Sequence, residues 1–241
     1  MQPIRQCVAE AIGTFYLCFA GIAAILSTEA PINSGIGLVG IAFAHGLALS
    51  IAVCTFGGLS GAHFNPAVTC GMLATGRIKA PLAGAYILFQ LVGATIASIV
   101  CAVIFPGEAV ASAKLGIPLP PAPDSTGGWD VGTGTILLVE FILTFLLVTS
   151  IFGVAVDERG KAVKIGGFAI GLTVTFDILA GGTITGASMN PARSFGPAFV
   201  SFLRGASSWQ FHWCYWVAPI AGGIAASLLY HHFLLKENGD T

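Results

Sequence analysis

The chain has 241 residues, of which 55% are hydrophobic and only 9% are charged, and its formal net charge is -1. Soluble domains carry about 25% charged residues, so this composition excludes an ordinary soluble domain and indicates an integral membrane protein. The small net charge also argues against nucleic acid as a partner.

Six stretches that are nearly free of Asp, Glu, Lys and Arg predict six membrane spans, since a spanning helix needs about 20 apolar residues. In chain order, the predicted spans are 6–27, 36–56, 81–105, 134–156, 165–181 and 211–234. Two shorter helical runs, at about 65–75 and 190–201, follow the second and fifth spans. Ten residues of helix rise ~15 Å, about half of the ~30 Å hydrocarbon core, so these two runs are predicted to enter the membrane without crossing it.

The basic residues are distributed asymmetrically around these spans. Seven fall on one side of the predicted membrane: Arg5, Arg77, Lys79, Arg159, Lys161, Lys164 and Lys236. Lys114 and Arg204 fall on the other side. By the positive-inside rule we expect both termini to be cytoplasmic, in a multi-pass protein of the cell (inner or plasma) membrane.

The chain contains an internal repeat within a single predicted channel domain. Glu10 of the first span recurs as Glu140 of the fourth, and the tripeptide Asn-Pro-Ala follows after 55 and 50 residues. The predicted repeats, 1–105 and 132–241, each contain three spans and one short run and are joined by a proline-containing loop, 106–131. Because three is odd, the second repeat is expected to be inverted relative to the first, with discontinuous helices meeting near the midplane.

The duplicated tripeptide is the most specific motif in the chain. Its residues are Asn65, Pro66, Ala67, Asn190, Pro191 and Ala192. Asn is a preferred N-cap and Pro is favoured at the first helical position, so each copy predicts a helix start at membrane depth. The asparagine oxygen accepts from the first helical turn and is expected to leave the NH2 group free as a donor. Two such starts facing each other across a lumen would orient water by its oxygen and disfavour cations through their positive ends.

A four-residue lead precedes each copy and is expected to be extended. Non-helical backbone at membrane depth is tolerated only where it is buried in protein or lines water, which predicts a ladder of carbonyl acceptors along a pore. The ladder residues are Gly61, Ala62, His63, Phe64, Gly186, Ala187, Ser188 and Met189. We expect Glu10 and Glu140 to support these leads by accepting their buried N–H groups, and the His63 side chain to serve in packing.

Two further charges lie at membrane depth, where ionisable residues are functional candidates. Arg193 follows Asn190 by three residues, at the position where the first copy has Val68, and we interpret it as an electrostatic gate. Asp177 in the fifth span corresponds to Ala52 in the second. For Asp177, a buried hydrogen-bonding role and a pore role both remain open.

These motifs resemble the major intrinsic proteins, the aquaporin family, over nearly the whole chain. The resemblance is carried by residues 9–15, 60–69, 189–198 and 215–220. It implies an all-α membrane protein with six tilted helices, two re-entrant half-helices, a pore in each subunit and a homotetramer. It also implies a second constriction, the selectivity filter, formed by His45, Ile178, Ala187 and Arg193.

This filter departs from the pattern of strict water channels, because its histidine comes from the second span and the fifth span supplies isoleucine. That arrangement is similar to the ammonia- and peroxide-permeable branch of the family and to the plant tonoplast channels. Ser194 occupies the position where glycerol facilitators carry Asp, and Tyr215 and Trp216 also argue against a glycerol channel.

The sequence therefore predicts a passive channel that conducts water and excludes protons and ions, with ammonia and hydrogen peroxide as further candidate solutes. Water, small neutral solutes and the lipid bilayer are its expected partners; no enzyme activity, cofactor or metal is expected. A glycerol or small neutral solute facilitator of the same fold is the first alternative. The second is an ion-coupled secondary transporter, because inverted repeats with broken helices also build those proteins.

Overall fold

The computed structural model describes residues 2–122 and 130–235, and within these ranges every regular element is helical. The helices are α1 (Gln2–Ser27), α2 (Gly37–Ser60), α3 (Pro66–Ala74), α4 (Ala80–Ile104), α5 (Gly107–Ser112), α6 (Thr133–Ile151), α7 (Glu158–Lys161), α8 (Gly166–Thr185), α9 (Pro191–Leu203) and α10 (Cys214–Leu229). One turn of 3-10 helix covers Lys114–Gly116, and π-helical turns at Phe152–Val156 and Tyr230–Leu234 extend α6 and α10.

Six helices, α1, α2, α4, α6, α8 and α10, are long and apolar enough to cross a membrane. The all-α fold with six spans is therefore confirmed. The second and fifth spans continue to Ser60 and Thr185, four residues beyond the predicted ends. Each passes through a pair of glycines and ends only where the next residue, Gly61 or Gly186, adopts the left-handed conformation.

The linker between the predicted halves is partly structured. Of the predicted loop 106–131, the described part contains α5 and the 3-10 turn, and residues 123–129 lie outside the described residues. Lys236, which was assigned to the cytoplasmic side, and the end of the second predicted repeat also lie outside the described residues.

The helices pair in a matching way in the two halves of the chain. Helix α1 packs on α2 and α4, whereas α6 packs on α8 and α10; α2 meets α8, α3 lies along α10, and α9 lies along α4. Two glycines allow equivalent close helix approaches in the two halves. A Cβ at Gly93 would lie 2.1 Å from the carbonyl oxygen of Ala11, and one at Gly222 would lie 2.3 Å from that of Phe141. Ala11 and Phe141 directly follow Glu10 and Glu140, so equivalent crossings hold both carboxylates in the bundle interior.

The outside of the bundle is apolar, and polar groups lie inside. Large exposed hydrophobic side chains occur on every spanning helix, among them Val8, Ile51, Leu88, Val103, Leu138, Leu172 and Val217. Conversely, Glu10, Gln90, Glu140 and Asp177 are fully enclosed. This is the reverse of a soluble protein, in which charged residues are mostly exposed, and it places the polar chemistry in the bundle centre.

Candidate functional site

The two short helices begin at the asparagines of the repeated tripeptide. Asn65 and Asn190 are N-caps with extended backbones (φ -157° and -148°), and the following proline is the first residue of α3 and of α9. The side-chain oxygen of Asn65 accepts from the N–H of Ala67 at 2.8 Å, and that of Asn190 accepts from the N–H of Ala192 at 3.0 Å. Each asparagine therefore satisfies part of the first helical turn, which would otherwise lack partners.

The asparagines also connect the two halves of the chain. Asn65 Nδ2 donates to the carbonyl oxygen of Met189 at 2.8 Å, and Asn190 Nδ2 donates to that of Phe64 at 2.9 Å. The expectation that both NH2 groups are wholly free was therefore wrong. Because an amide NH2 carries two hydrogens, each asparagine retains one donor after it has tied the opposite lead in place.

The leads are not extended, contrary to expectation. In each lead, three of the four residues have positive φ, with values of 86°, 53° and 50° in the first and 83°, 42° and 54° in the second. These residues are Gly61, Ala62 and Phe64, followed by Gly186, Ala187 and Met189. Left-handed residues combined with other conformations turn successive N–H groups into one concave anion-binding face. Since each peptide unit is planar and trans, its carbonyl points away from its N–H, so the carbonyl oxygens are directed to the opposite side.

Glu10 occupies the concave face of the first lead. One carboxylate oxygen accepts from the Ser60 hydroxyl at 2.6 Å and from the N–H of His63 at 3.0 Å. The other accepts from the N–H of Phe64 at 2.7 Å and from Gln90 Nε2 at 2.8 Å. A buried carboxylate with four donors is well compensated for the loss of water, and it fixes which way this lead faces.

Glu140 binds the second lead in the same way. It accepts from the Thr185 hydroxyl at 2.6 Å, from the N–H of Ser188 at 3.0 Å and from the N–H of Met189 at 2.8 Å. Thus both leads present their N–H groups to a carboxylate from the first helix of their own half of the chain. Of the eight carbonyls that were predicted to form a ladder, those of Phe64 and Met189 accept from the asparagines.

Several residues that support the leads were not predicted. The hydroxyls of Tyr86 and Tyr215 donate to the carbonyl oxygens of Ser60 and Thr185 at 2.7 and 2.6 Å. The sequence did contain a signal for Ser60 and Thr185, because each of these hydroxyl residues precedes a motif asparagine by five residues. No such repeat marks Gln90, whose partner Glu10 lies 80 residues away.

One narrow cavity joins the filter residues to the motif asparagines. The filter and motif residues that line it are His45, Asn65, Ile178, Ala187, Asn190 and Arg193. These side chains come from α2, α8, α9, the N-cap of α3 and the second lead, and all of them are buried. The structure therefore brings together the four residues assigned to a filter and both asparagines along one lumen.

Arg193 is fixed by a backbone contact rather than by an ion pair. Its Nη1 donates to the carbonyl oxygen of Gly116 at 2.7 Å, and the residue is only 3% exposed. Within residues 2–122 and 130–235, no carboxylate lies at ion-pair distance from its guanidinium. Its positive charge therefore acts on the lumen without being neutralised by a partner.

A second cavity continues the lumen on the side of α7. It shares Ala62, His63, Val68, Ile151 and Ile170 with the central cavity, and it is also lined by Arg77 and Lys161. The ring of His63 packs edge-on against Tyr86, with a centroid distance of 5.2 Å. His63 therefore packs in the wall and also lies at the junction of the two cavities.

Asp177 lies apart from this lumen. It is completely buried, neither carboxylate oxygen has a hydrogen-bond partner among the described residues, and it does not line the central cavity. The structure therefore supports neither the hydrogen-bonding role nor the pore role that the sequence left open.

A polar clasp joins the N-cap of α7, just after the fourth span, to the end of the sixth span. Asp157 caps α7, accepts from the Tyr230 hydroxyl at 3.1 Å and pairs with Arg159. Arg159 in turn donates to the carbonyl oxygen of Leu234 at 2.7 Å. Hydrogen bonds from Arg159 hold the pKa of the Asp157 carboxyl well below its usual range. The clasp fixes α7, which carries Lys161 at the rim of the second cavity.

Comparison with known proteins places this architecture in one family. The chain matches the family model described as Major intrinsic protein over residues 1–230. It is 38% identical to Aquaporin TIP4-4 of Zea mays over 240 residues, covering 98% of this chain and 89% of the relative. It is 37% identical to Aquaporin-8 of Notomys alexis over 236 residues, covering 98% of this chain and 84% of that protein.

A third relative and a solved structure agree with this assignment. Nodulin-26 of Glycine max is 39% identical over 231 residues, covering 95% of this chain and 77% of the relative. The X-ray structure of the aquaglyceroporin from Plasmodium falciparum has the same fold, with a TM-score of 0.85 at 24% identity, over 96% of this chain and 97% of that chain. The chain therefore belongs to the major intrinsic protein family and is a multi-pass membrane protein that acts as a passive channel for water and small neutral solutes, not as an enzyme.

Proposed function

We propose that this channel passes ammonia and hydrogen peroxide in addition to water, and that it excludes protons and other ions. One observation carries the proposal: Asn65 and Asn190 line one lumen together with His45, Ile178, Ala187 and Arg193. The first pair orients the permeant, and the second set decides which molecules reach it.

The arrangement of the leads supports passage of water in single file. Glu10 and Glu140 hold the N–H groups of the leads on the side away from the lumen, which leaves carbonyl oxygens as acceptors along one wall. The facing wall is apolar and contains Leu17, Leu49, Leu147, Ile170 and Val174. A polar strip opposite an apolar wall gives each water a defined set of partners without binding it strongly.

The same geometry supports exclusion of cations and protons. Each asparagine keeps one amide hydrogen, and each helix start contributes a positive end equivalent to about half a charge. Arg193 adds an unpaired positive charge near the second helix start. A water oxygen that accepts one hydrogen bond from each asparagine has both lone pairs in use, so it cannot also accept a hydrogen bond from the next water in the file. Exclusion by half-helix ends and an arginine is the established behaviour of aquaporin pores.

The filter composition supports solutes other than water. The side chains of Ile178 and Ala187 provide no hydrogen-bonding group, so only the side chains of His45 and Arg193 are polar among these four residues. A filter with fewer polar contacts holds water less strongly relative to a slightly larger molecule. Resemblance to the ammonia- and peroxide-permeable branch points in the same direction.

We further propose that residues 1–105 and 132–241 are inverted repeats and that four copies assemble in the membrane. The matching crossings at Gly93 and Gly222 and the reciprocal asparagine contacts support the repeat. The exposed apolar surface of the single chain supports burial against lipid and neighbouring copies. Arg77 and Lys161 line the second cavity, and by the positive-inside rule basic residues favour the cytoplasmic side. This supports cytoplasmic termini in a cell (inner or plasma) membrane.

Permeability of reconstituted vesicles tests this function. Osmotic water flux is followed by light scattering. Ammonia flux is followed by the alkalinisation of the vesicle interior, which an enclosed pH-sensitive dye reports. Glycerol flux is followed by the reswelling of the vesicles after an osmotic step. We expect water and ammonia fluxes above those of empty vesicles and a glycerol flux far below the water flux. His45→Phe should lower the ammonia flux about tenfold, which corresponds to ~1.4 kcal/mol in the barrier. Glycerol flux comparable to water flux, or ammonia flux equal to that of empty vesicles, would contradict the proposal.

A further inference from the structure

Gly21 on α1 has no side chain, and this determines where the His45 ring lies. A Cβ placed on Gly21 would be 2.0 Å from Nε2 of His45 and 2.4 Å from its Cδ2 and Cε1. Carbon atoms in contact are separated by about 3.5–4.0 Å. The tip of the imidazole therefore occupies the volume that any other side chain at position 21 would fill, and we call this volume the Gly21 slot.

The opposite edge of the same ring is held by α2. Nδ1 of His45 lies 2.8 Å from the carbonyl oxygen of Ile41, one helical turn earlier. A carbonyl oxygen only accepts, so Nδ1 carries the hydrogen of that bond. The ring is thus fixed at both ends, by a hydrogen bond at Nδ1 and by the Gly21 slot at Nε2.

A side chain that filled the slot would push the His45 ring away from α1. His45 lines the central cavity together with Leu17 and Arg193, whereas α1 closes the side of Gly21. To restore ordinary contact, the ring tip would have to move by about 1.5 Å. That movement leads into the lumen, at the level of the filter.

We infer that Gly21 is a positioning residue of the filter, which widens the lumen by letting His45 retract against α1. The inference rests on the proposed function, because it explains how a channel with a ring at this position admits small neutral molecules such as ammonia and methylamine. Gly21 itself does not line the cavity. It acts through the imidazole, so its effect should disappear when the imidazole is removed.

Other glycines in the chain supply a matched control and a contrast. A Cβ at Gly84, in the spanning helix α4, would meet nothing within 4 Å. A Cβ at Gly13, on α1, would lie 2.1 Å from the Phe64 ring in the first lead. Gly84→Ala therefore tests the general effect of an added methyl group in a span, and Gly13→Ala tests a clash on α1 away from the filter.

The experiment compares Gly21→Ala, His45→Ala, the double variant and Gly84→Ala in vesicles, with water and methylamine fluxes normalised to the folded protein. Overpacking of a rigid site costs about 1–3 kcal/mol, so Gly21→Ala should lower both fluxes by about tenfold or more. The double variant should match His45→Ala within about twofold, and Gly84→Ala should match wild type. Because His45→Ala removes only the ring, this recovery is a readout that a merely structural role of Gly21 would not produce.

The possible outcomes each support or overturn the inference. Unchanged water flux in Gly21→Ala overturns it, and so does a folded double variant that remains as slow as Gly21→Ala. If Gly21→Ala fails to fold, a folded and conducting double variant still supports a clash with the ring, whereas a double variant that also fails overturns it. Absence of methylamine and ammonia flux in wild type would contradict the proposed function alone, because the water flux still tests Gly21.

Discussion

Asn190 donates its side-chain amide to the carbonyl oxygen of Phe64 at 2.9 Å, from the start of α9 to the lead of α3. The reciprocal bond runs from Asn65 to Met189. The two helix starts therefore hold each other in place, and the same side chains that cap the helices also align the two leads. One amide hydrogen on each asparagine remains to meet a permeant.

Replacement of this amide should affect both stability and ion exclusion. In Asn190→Asp the donor is replaced by an oxygen that faces the Phe64 carbonyl, so one bond is lost and a negative charge enters the lumen. We expect unfolding to become easier by about 1–3 kcal/mol and cation conductance to appear. Thermal unfolding and vesicle conductance measure the two effects; an Asn190→Asp channel that stays as stable and as ion-tight as wild type would contradict this role.

The carboxylates behind the leads should be needed for folding. Glu140→Gln places an NH2 group among the donors of Thr185, Ser188 and Met189, so at least one buried N–H loses its acceptor. We expect a loss of about 1–3 kcal/mol in the free energy of unfolding, seen as a lower Tm in detergent. Glu158→Gln is the control, because an exposed ion pair contributes at most about 1 kcal/mol. Equal Tm values for the two variants would show that Glu140 does not support the lead.

Loss of the filter charge should change selectivity more than water flux. Arg193→Ala removes the guanidinium and its bond to the Gly116 carbonyl but leaves the asparagines in place. We expect water flux to persist while urea permeability and the conductance for ammonium and protons rise. Electrical recording on reconstituted bilayers and solute uptake measure these changes. The assignment of Arg193 as the electrostatic gate would be refuted if ion conductance and urea permeability were indistinguishable from those of wild type.

The clasp formed by Asp157, Arg159 and Tyr230 should give stability that depends on pH. The pKa of Asp157 is depressed by Arg159, so its contribution is present above the unfolded-state pKa of about 3.9 and is lost as pH falls through the lower folded-state value. Wild type should therefore have a higher Tm than Asp157→Asn at pH 7, and the difference should shrink below about pH 4. Salt should also reduce it, because the Arg159 side chain is 58% exposed. A difference that is constant from pH 7 to about pH 3 would contradict this account.

The sequence predicted the large elements because their signals are local. Apolar stretches of sufficient length marked the six spans, and Asn-Pro at positions 65 and 190 marked the starts of α3 and α9. The conformation of the leads could not be predicted in the same way. Ala62 and Met189 adopt positive φ without being glycine, and they do so because Glu10 and Glu140 hold the adjacent N–H groups.

Contacts across the bundle were also beyond the sequence. The asparagine amides were expected to be free because their partners, the carbonyls of Phe64 and Met189, belong to the opposite half of the chain. Gln90 and Gly21 have no motif around them, and their significance appears only when α4 and α1 are seen beside Glu10 and His45. By contrast, the family resemblance implied Ile178 and Arg193 as filter residues, and both line the same lumen in the structure.

The most direct test of the central claim measures osmotic water flux and proton flux in the same vesicles. With a pH-sensitive dye enclosed, an osmotic step and a pH step are applied to one preparation of the wild-type protein. The account predicts fast shrinkage well above that of empty vesicles and a proton leak no greater than theirs. Water flux at the level of empty vesicles, or a proton leak that rises with the amount of protein, would contradict it.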